Sequence, residues 1–475
     1  MTKPNSSPVP SPTGTRDLYP DQLLRQNYIT RLWRDTALRH GFEEINGPTF
    51  EILELYTRKS GEGIVGELFR FRREGGEDDY ALRPEFTPTL ARMYAAKAAS
   101  LPSPTKWFSI GPYFRAEKPQ RGRLREFLQW NVDVLGLPPE CKTDEDIVSG
   151  DGYADMETMA CLVGALALAG ITPETAMLHF GSRELLDRRM TQLGIEAEHK
   201  ARVIALIDSL SKMTEDEFLR ELATMGISRE QIERITSTEV NPIVIDSYTD
   251  AATRPVVALA GIMLPLDWFC YDLSIVRGLA YYTGTVFEVI AEGERAIAGG
   301  GRYDNLIELF GGPPTPAVGF GMGDVVLGLL LDDKGLMPQG AELLDALSRP
   351  GASLRPEAFV VAGSEDEDAL VEPLLANLRR GVERDGFDGK PWAADRYAIR
   401  PMHARRTYKT TRNLKKLLND AEKQHARYAI VLHGPDKVQV KDLDKREELV
   451  HDRGDFSVDP ASDAYVGKAI AARLE

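Results

Sequence analysis

The residues that could do chemistry are concentrated at positions 113–136, which read YFRAEKPQRGRLREFLQWNVDVLG. The flanks of this stretch alternate with the period of a β-strand and its middle is polar, which predicts a hairpin of two antiparallel strands. One face of the hairpin would be apolar. The other face would carry Arg115, Gln129 and Asp133, and the connecting loop would add Glu117, Gln120, Arg121 and Arg123. Because so many polar and charged groups on one face are costly in a purely structural hairpin, we interpret the polar face as the floor of an active site; the alternative is a solvated hairpin.

The chain that positions this hairpin is long enough for more than one domain. Its 475 residues exceed what one hydrophobic core normally supports, so two or three domains are expected. No apolar run approaches the ~18 residues of a membrane span, and the N-terminus lacks the apolar segment of a secretory signal. The three cysteines Cys141, Cys161 and Cys270 are odd in number and not paired with histidines. They predict reduced thiols with no disulfide framework and no zinc site, which fits a cytoplasmic enzyme.

The charge of the chain is unevenly distributed. The net charge is −15, but residues 355–475 contain 22 basic and 22 acidic residues, so the whole acidic excess lies before residue 355. Within this neutral tail, residues 390–416 contain nine basic residues and one acid, Asp395. Such a local patch could bind phosphates although the protein as a whole repels them. The alternative is a solvated basic face.

The order of predicted elements indicates a catalytic unit followed by a smaller module. Helical periodicity over residues 21–40 is followed by a short strand, and a core helix is predicted over 154–170. After these, glycine-rich strands recur between residues 272 and 331. Alternating strands and helices near the C-terminus are typical of an α/β module. The resulting division is a disordered N-terminus (1–13), a catalytic domain (14–336) with a helical insertion at about 184–256, a linker (337–356) and a C-terminal module (357–475).

Five motifs in this order resemble those of the histidyl branch of the class II aminoacyl-tRNA synthetases. The hairpin pattern Phe114-Arg115-x-Glu117, followed by Arg123, Phe127 and Asp133, resembles motif 2, and the helix and strand before it resemble motif 1. Residues 80–87 (YALRPEFT) resemble the segment that closes over the amino acid. Residues 277–288 (RGLAYYTGTVFE) and 300–304 (GGRYD) resemble the two signatures of histidyl-tRNA synthetases. The resemblance implies an α+β catalytic domain, built on an antiparallel sheet with flanking helices, and a C-terminal α/β anticodon-binding domain.

The resemblance implies a histidine–tRNA ligase. Such an enzyme joins the carboxylate of histidine to the α-phosphorus of ATP, expels pyrophosphate, and transfers the histidyl group to tRNA-His. It would work with ATP and substrate-bound Mg²⁺, without a metal site of its own and without a membrane, as a homodimer. Because the nucleophile is already an anion, catalysis needs charge and alignment rather than a general base.

The resemblance also implies roles for individual residues. Arg115 and Arg277 would be catalytic. Arg115, Glu117, Arg123 and Phe127 would bind ATP. Histidine would contact Glu85, Thr87, Arg115, Gln129, Asp133, Arg277, Tyr281 and Tyr282, with Asp133 and Tyr282 at the two ring nitrogens. The tRNA would contact Gln120, Arg405, Arg406, Lys409 and Arg412.

Two positions depart from the family pattern, while Asp133 keeps the family's acid, for which several members carry Glu. Most members carry Asp at the position of Ala280. The family's third motif ends with an arginine that binds the γ-phosphate, whereas this chain has Val326 there. Asp324, two residues earlier, is predicted to cap the following helix. These departures do not change the predicted fold, but they leave open how the chain would position ATP.

Two alternative functions remain. A non-catalytic paralogue could sense histidine or uncharged tRNA, but the known type resembles only the catalytic domain, so the tail after residue 355 counts against it. A class II ligase for another amino acid, such as proline or threonine, is disfavoured by residues 277–284.

Overall fold

The structure is a computed structural model that describes residues 9–60, 62–137, 150–210, 213–237, 259–277, 281–291, 296–452 and 454–474. In chain order, the first elements are α1 (Pro20–Arg39), β1 (Glu43–Glu44), β2 (Phe50–Ile52), α2 (Glu54–Ser60), β3 (Arg70–Arg72), β4 (Asp79–Leu82), α3 (Thr87–Ala95), β5 (Thr105–Phe114), β6 (Glu126–Leu135) and α4 (Gly150–Leu168). They are followed by β7 (Ala176–Ser182), α5 (Arg183–Gln192), α6 (Ala197–Ser209), α7 (Glu215–Thr224), α8 (Arg229–Thr236), β8 (Phe269–Tyr271), β9 (Thr285–Ala291), β10 (Ala298–Arg302), α9 (Leu306–Leu309), β11 (Ala317–Gly323) and α10 (Asp324–Asp333). The last elements are α11 (Gly340–Ser348), β12 (Ala358–Ala362), α12 (Asp368–Arg380), β13 (Val382–Glu383), β14 (Tyr397–Ile399), β15 (Ala404–Arg406), α13 (Leu414–Lys423), β16 (Tyr428–Leu432), β17 (Val438–Asp442), β18 (Glu447–Leu449) and α14 (Val466–Leu474).

An eight-stranded sheet organises the first part of the chain. Its order is β1-β5-β6-β11-β10-β9-β7-β8. Strands are antiparallel except at the two edges, where β1 pairs with β5 and β7 with β8 in parallel. The predicted sheet with flanking helices is confirmed, and the parallel edge pairs make it mixed. None of the described helices combines the length and the apolar character that crossing a lipid bilayer requires.

The predicted hairpin is formed by β5 and β6, paired from Thr105↔Leu135 to Phe114↔Glu126. Its apolar face packs against α1 and α4, where the rings of Trp33 and Trp130 stack with centroids 6.0 Å apart. The polar face is also covered, by aromatic side chains that include Tyr282 and Tyr303. Polar groups on this face therefore lie in a largely dehydrated environment rather than on an open surface.

Smaller units surround the sheet. Strands β2, β4 and β3 form a three-stranded antiparallel sheet next to α2 and α3. Helices α5 to α8 have their own hydrophobic core and coincide with the range predicted for the helical insertion. Residues 211–212 and 238–256 of that range lie outside the described residues.

The C-terminal module is built on a five-stranded sheet of order β15-β12-β16-β17-β18, with parallel and antiparallel pairs. Helices α12 and α14 pack on one core cluster and α13 on another. The stretch predicted as a linker contains helix α11, whose Leu343 joins the core of the first part of the chain. Of the predicted disordered N-terminus, residues 1–8 lie outside the described residues, while the carbonyl of Pro12 accepts a hydrogen bond from the Thr15 amide.

Candidate active site

Glycine-rich strands β10 and β11 form the floor of the site beside the hairpin. A side chain at Gly319 on β11 would collide with the carboxylate of Asp133, which is its pairing partner on β6. A side chain at Gly299 on β10 would collide with the guanidinium of Arg277. The missing Cβ atoms thus let polar side chains lie flat across the sheet.

A buried carboxylate occupies one end of the site. Asp133 is 4% exposed and its Oδ1 accepts a 2.5 Å hydrogen bond from the hydroxyl of Tyr303. Burial raises its pKa from an ordinary value of 3.8 to about 7, although the Tyr303 hydrogen bond opposes the shift. Next to it, Gln129 donates to Asn131 at 2.7 Å, and Asn131 donates to the hydroxyl of Tyr113 at 3.0 Å. A polar chain of this kind suits a ligand that offers both a donor and an acceptor.

Two adjacent tyrosines cover the same end. The rings of Tyr281 and Tyr282 lie 4.7 Å apart, and Tyr281 meets Tyr303 edge to face at 6.0 Å. Burial raises the pKa of both Tyr281 and Tyr282. Both phenols therefore stay protonated near neutral pH and remain hydrogen-bond donors.

Arg115 lies at the base of the hairpin loop. Its Nε donates to the carbonyl of Pro84 at 3.3 Å, and its guanidinium carbon lies 5.1 Å from the centroid of the Phe127 ring. Burial lowers the pKa of Arg115, while Glu85 and Glu117 oppose that shift. A guanidinium remains charged even so, and it offers a planar pair of donors.

Arg277 supplies a second fixed cation. Its backbone has a φ of 48°, a conformation rarely adopted by residues other than glycine. Its Nη1 donates to the carboxylate of Glu288 on β9. Burial opposes the charge of Arg277, but the Tyr282 phenol and the Glu288 carboxylate outweigh burial and raise its pKa. Ala280, three residues later, lies outside the described residues.

Glu85 and Thr87 flank the entry to α3. The carboxylate of Glu85 forms an ion pair with the ammonium of Lys59 at 2.5 Å. Thr87 is half-buried and is the first residue of the helix. The ammonium also lies 3.8 Å from the centroid of the Tyr281 ring. This end of the site therefore binds a primary ammonium group through a carboxylate and an aromatic face.

The hairpin loop carries the other charged residues. Gln120 and Arg123 exchange backbone hydrogen bonds of 3.0 and 2.9 Å, which closes a tight turn. Within the loop, Arg123 donates to the carboxylate of Glu117. Phe127 is half-buried at the start of β6. Glu117, Arg123 and Phe127 thus lie together at the opposite end of the site from Asp133.

The beginning of α10 differs from the prediction. Gly323, with φ −88° and ψ 146°, holds the N-cap position, so the prediction that Asp324 caps this helix is wrong. Asp324 is instead the first helical residue and is buried. Its carboxylate accepts hydrogen bonds from Arg16 at 2.6 Å, Gln26 at 3.0 Å and the Leu128 amide at 3.0 Å. Because these donors, which are distant in sequence, bind the carboxylate of Asp324, it does not cap the helix.

The four basic residues predicted to bind tRNA lie outside the candidate site, and each forms an ion pair. Arg405 and Arg406 are 16% and 14% exposed and pair with Glu43 and Glu372 respectively. The more exposed Lys409 and Arg412 pair with Asp420 and Asp368. Gln120 lies apart from these residues, exposed in the hairpin loop.

The structure adds residues that sequence reasoning missed or left open. Tyr303, for which core packing was an equal interpretation, contacts Asp133; its place in the GGRYD motif was the available signal. Tyr113 and Asn131 lie on the polar face with Gln129, where strand parity places them, but no role in the site was predicted for them. Lys59 gave no signal, because its partner Glu85 is distant in sequence and on another element.

Comparison with known proteins identifies one family. A sequence model of the family described as histidyl-tRNA synthetase matches residues 14–323. The histidine–tRNA ligase of Opitutus terrae is 40% identical over 364 residues, covering 73% of this chain and 80% of its own length. The chloroplastic/mitochondrial histidine–tRNA ligase of Arabidopsis thaliana is 35% identical over 77% of this chain and 75% of its own length.

The fold has solved counterparts. The histidyl-tRNA synthetase of a Nostoc species superposes with a TM-score of 0.55 at 22% identity, covering 99% of this chain and all of that one. A histidine–tRNA ligase subunit from Alicyclobacillus acidocaldarius has a TM-score of 0.55 at 24% identity over 69% of this chain and 99% of its own. At this level of identity the likeness concerns the fold alone, and the sequence matches carry the assignment. The chain belongs to the histidyl-tRNA synthetase family, whose members are aminoacyl-tRNA ligases.

Proposed function

We propose that the protein activates histidine with ATP and transfers the histidyl group to tRNA-His. The observation that carries this proposal is the arrangement of three chemical groups along one sheet face. A buried acid and tyrosines lie at one end, two arginines lie next, and the loop acid Glu117 with the phenyl ring of Phe127 lies at the other end. This order matches the order of the imidazole, carboxylate, phosphate and adenine groups in histidyl-adenylate.

In the activation step, the carboxylate of histidine attacks the α-phosphorus of ATP, and the bond from that phosphorus to the bridging oxygen of pyrophosphate breaks. Arg115 and Arg277 stabilise the charge that builds up on the phosphoryl oxygens. Both guanidinium groups are held in advance, by the Pro84 carbonyl and by the Glu288 carboxylate. Little reorganisation is therefore needed when the transition state forms.

Selection of histidine relies on its two ring nitrogens. Asp133 accepts from one nitrogen and the hydroxyl of Tyr282 donates to the other. An analogue that lacks a nitrogen would leave one of these buried groups unpaired, which disfavours its binding. The Tyr303 hydroxyl donates to the Asp133 carboxylate and fixes its position. The α-amino group would contact Glu85, Thr87 and Gln129.

ATP is proposed to bind at the loop end of the site. Phe127 stacks on the adenine ring, Glu117 accepts from its amino group, and Arg123 binds the terminal phosphate. Since Arg123 and Glu117 pair with each other in this structure, ATP binding must separate them. Mg²⁺ would enter with the nucleotide, because this ion is commonly bound through substrate phosphates and its own waters.

The partners and compartment follow the same proposal. Gln120 in the hairpin loop and the basic residues Arg405, Arg406, Lys409 and Arg412 would contact tRNA. A homodimer is supported by three aromatic side chains on the small sheet, Phe50, Phe71 and Tyr80, whose centroids lie 5.7 Å apart in each pair. Phe50 and Phe71 are 48% and 44% exposed, and a second copy would bury them. A reducing compartment such as the cytoplasm is supported by the free thiols of Cys161 and Cys270.

The test is histidine-dependent exchange of pyrophosphate into ATP, measured with each of the twenty amino acids. We expect exchange with histidine and only background with the others. The second candidate, a sensing paralogue, is favoured by the departure at Val326. It would bind histidine or uncharged tRNA without catalysing exchange, and that result would refute the ligase proposal.

A further inference from the structure

Lys59 is a buried lysine inside the candidate site. It lies in the last turn of α2, and its side chain is only 1% exposed. Burial of an ammonium group is costly unless the group is paired. Here the charge is held by the Glu85 carboxylate at 2.5 Å and by the face of the Tyr281 ring at 3.8 Å. Burial lowers the pKa of Lys59, and Glu85 opposes that shift.

The contacts of Lys59 place it among the residues proposed to take part in the reaction. Glu85 acts electrostatically on both Lys59 and Arg115, and the charge of Arg115 lowers the pKa of Lys59. Tyr281, on which the ammonium rests, is in contact with Tyr282 and lies close enough to Arg277 to be affected by its charge. The ammonium of Lys59 therefore belongs to the same cluster of charged groups as Arg115, and Tyr281 links it to the surroundings of Arg277.

We propose that Lys59 is a third cation of the adenylation site and binds the carboxylate of histidine. This inference rests on the proposed function. A carboxylate such as that of Glu85 has two oxygens and about four lone pairs, so it can accept from Lys59 and from the α-ammonium of histidine together. The α-carboxylate of the substrate is attached to the same carbon as that ammonium. A lysine held on Glu85 therefore lies within reach of it, and afterwards of the phosphate to which it becomes joined.

A competing arrangement starts from the same contacts. Lys59 could occupy the position of the substrate ammonium in the free protein and be displaced by histidine. The two arrangements predict opposite effects of removing the charge. Loss of a binding cation weakens histidine binding, whereas loss of an internal competitor strengthens it.

The experiment compares Lys59→Met and Lys59→Arg with a control on the same helix, Arg58→Met. Arg58 is exposed and pairs with Glu54 along the helix surface, so its replacement should leave activity unchanged. We expect Lys59→Met to lower kcat/KM for histidine in pyrophosphate exchange by about 100-fold, the effect typical of a lost transition-state contact. Lys59→Arg should recover part of this loss because it restores a cation.

A second measurement separates contact with the carboxylate from a structural role. Histidinol has the imidazole and the ammonium of histidine but no carboxylate, so Lys59→Met should change its dissociation constant by less than about threefold. Tighter binding of histidine by Lys59→Met would overturn the proposal in favour of displacement. Equal weakening of histidine and histidinol, with a lower Tm, would overturn it in favour of a structural role. A wild-type protein without histidine-dependent exchange would instead refute the proposed function itself.

Discussion

At the scale of single residues, Arg277 combines a strained backbone with a charge that the fold holds in place. A non-glycine residue at its φ of 48° costs on the order of 1 kcal/mol, which persists only where the surroundings enforce it. The Glu288 carboxylate holds the Arg277 side chain in place, and the absence of a Cβ at Gly299 leaves room for its guanidinium. The cation is thereby aimed at the sheet face on which the reaction is proposed to occur.

Replacement of Arg277 by alanine should therefore affect catalysis more than binding. Loss of a preorganised cation typically lowers the rate by about 10²–10³-fold, and we expect this loss in histidine-dependent exchange. The dissociation constant for histidine should change less. Arg277→Gly is the companion variant, because glycine accepts the same φ and so removes the charge without backbone strain. Exchange within about threefold of wild type would show that Arg277 is not catalytic.

The raised pKa of Asp133 predicts a dependence of stability on pH. Between its ordinary pKa of 3.8 and its native value of about 7, the folded protein keeps a proton that the unfolded chain has released. Stability then falls as pH rises, since the native state binds more protons than the unfolded state. The contribution of Asp133 is fully present below pH ~4 and is lost as pH rises through ~7.

The variant Asp133→Asn has no proton to lose and should lack this decline. Urea midpoints at pH 5, 6, 7 and 8 would be compared for the two proteins, with the difference between them as the quantity of interest. We expect the variant to gain relative to wild type as pH rises. Parallel curves would mean that Asp133 is ionised throughout.

At the scale of elements, we expect the hairpin loop to supply the phosphate-binding cation that is missing at Val326. The side chain of Val326 lies next to Gly122 in the loop, since a Cβ at that glycine would be 3.2 Å from Val326 Cγ2. Valine cannot donate a hydrogen bond, and Asp324 has the wrong charge for a phosphate. Arg123 lies one residue from Gly122 in the same turn, and it is the loop cation that we expect to hold the terminal phosphate.

Arg123→Ala should raise the KM for ATP by about tenfold or more, as expected for the loss of one charged hydrogen bond. Histidine affinity should change little, because Asp133 and the tyrosines lie at the other end of the site. Arg121→Ala is the matched control, since Arg121 is in the same loop but is 67% exposed and pairs with Asp333. Equal effects of the two substitutions would remove the special role of Arg123.

The same elements show what could be predicted from the sequence. The hairpin and its two faces followed from alternation alone, because a period of two is a local property of β5 and β6. The sequence did not show that the polar face is covered, since Tyr282 and Tyr303 lie next to β9 and β10, more than 140 residues further along the chain. Asp324 failed as a predicted cap for a similar reason: Arg16 and Gln26, distant in sequence, compete for its carboxylate.

At the scale of the whole molecule, the C-terminal module is joined to the catalytic unit by buried charges. Glu157 on α4 is fully buried and pairs with Lys106 on β5 and, at 3.0 Å, with Arg379 on α12. Arg396 donates to the carbonyls of Ala167 and Leu168 at the end of α4. Removal of one partner from a buried pair typically costs about 3–5 kcal/mol. Deletion of residues 355–475 would therefore destabilise the catalytic unit as well as remove the proposed tRNA contacts.

A test of the basic residues in 390–416 has to leave the contacts between the C-terminal module and the catalytic unit intact. Reversal of charge at Arg405 or Arg406 would place an acid beside Glu43 or Glu372, and weaker tRNA binding would then report a disturbed interface. Lys409 and Arg412 are 44% and 36% exposed, so they give a cleaner measurement.

We expect Lys409→Glu with Arg412→Glu to weaken tRNA binding and to flatten its dependence on salt. Each lost phosphate contact should reduce the slope of log K against log salt by about 0.7–0.9. Lys445→Glu is the control, because Lys445 is exposed in the same module but outside the basic stretch. Adenylate formation should be unchanged in both proteins, since the residues proposed for that step precede residue 333. A salt slope equal to that of the wild type would show that this stretch is a solvated face, and the tRNA contacts of the module would then have to lie elsewhere.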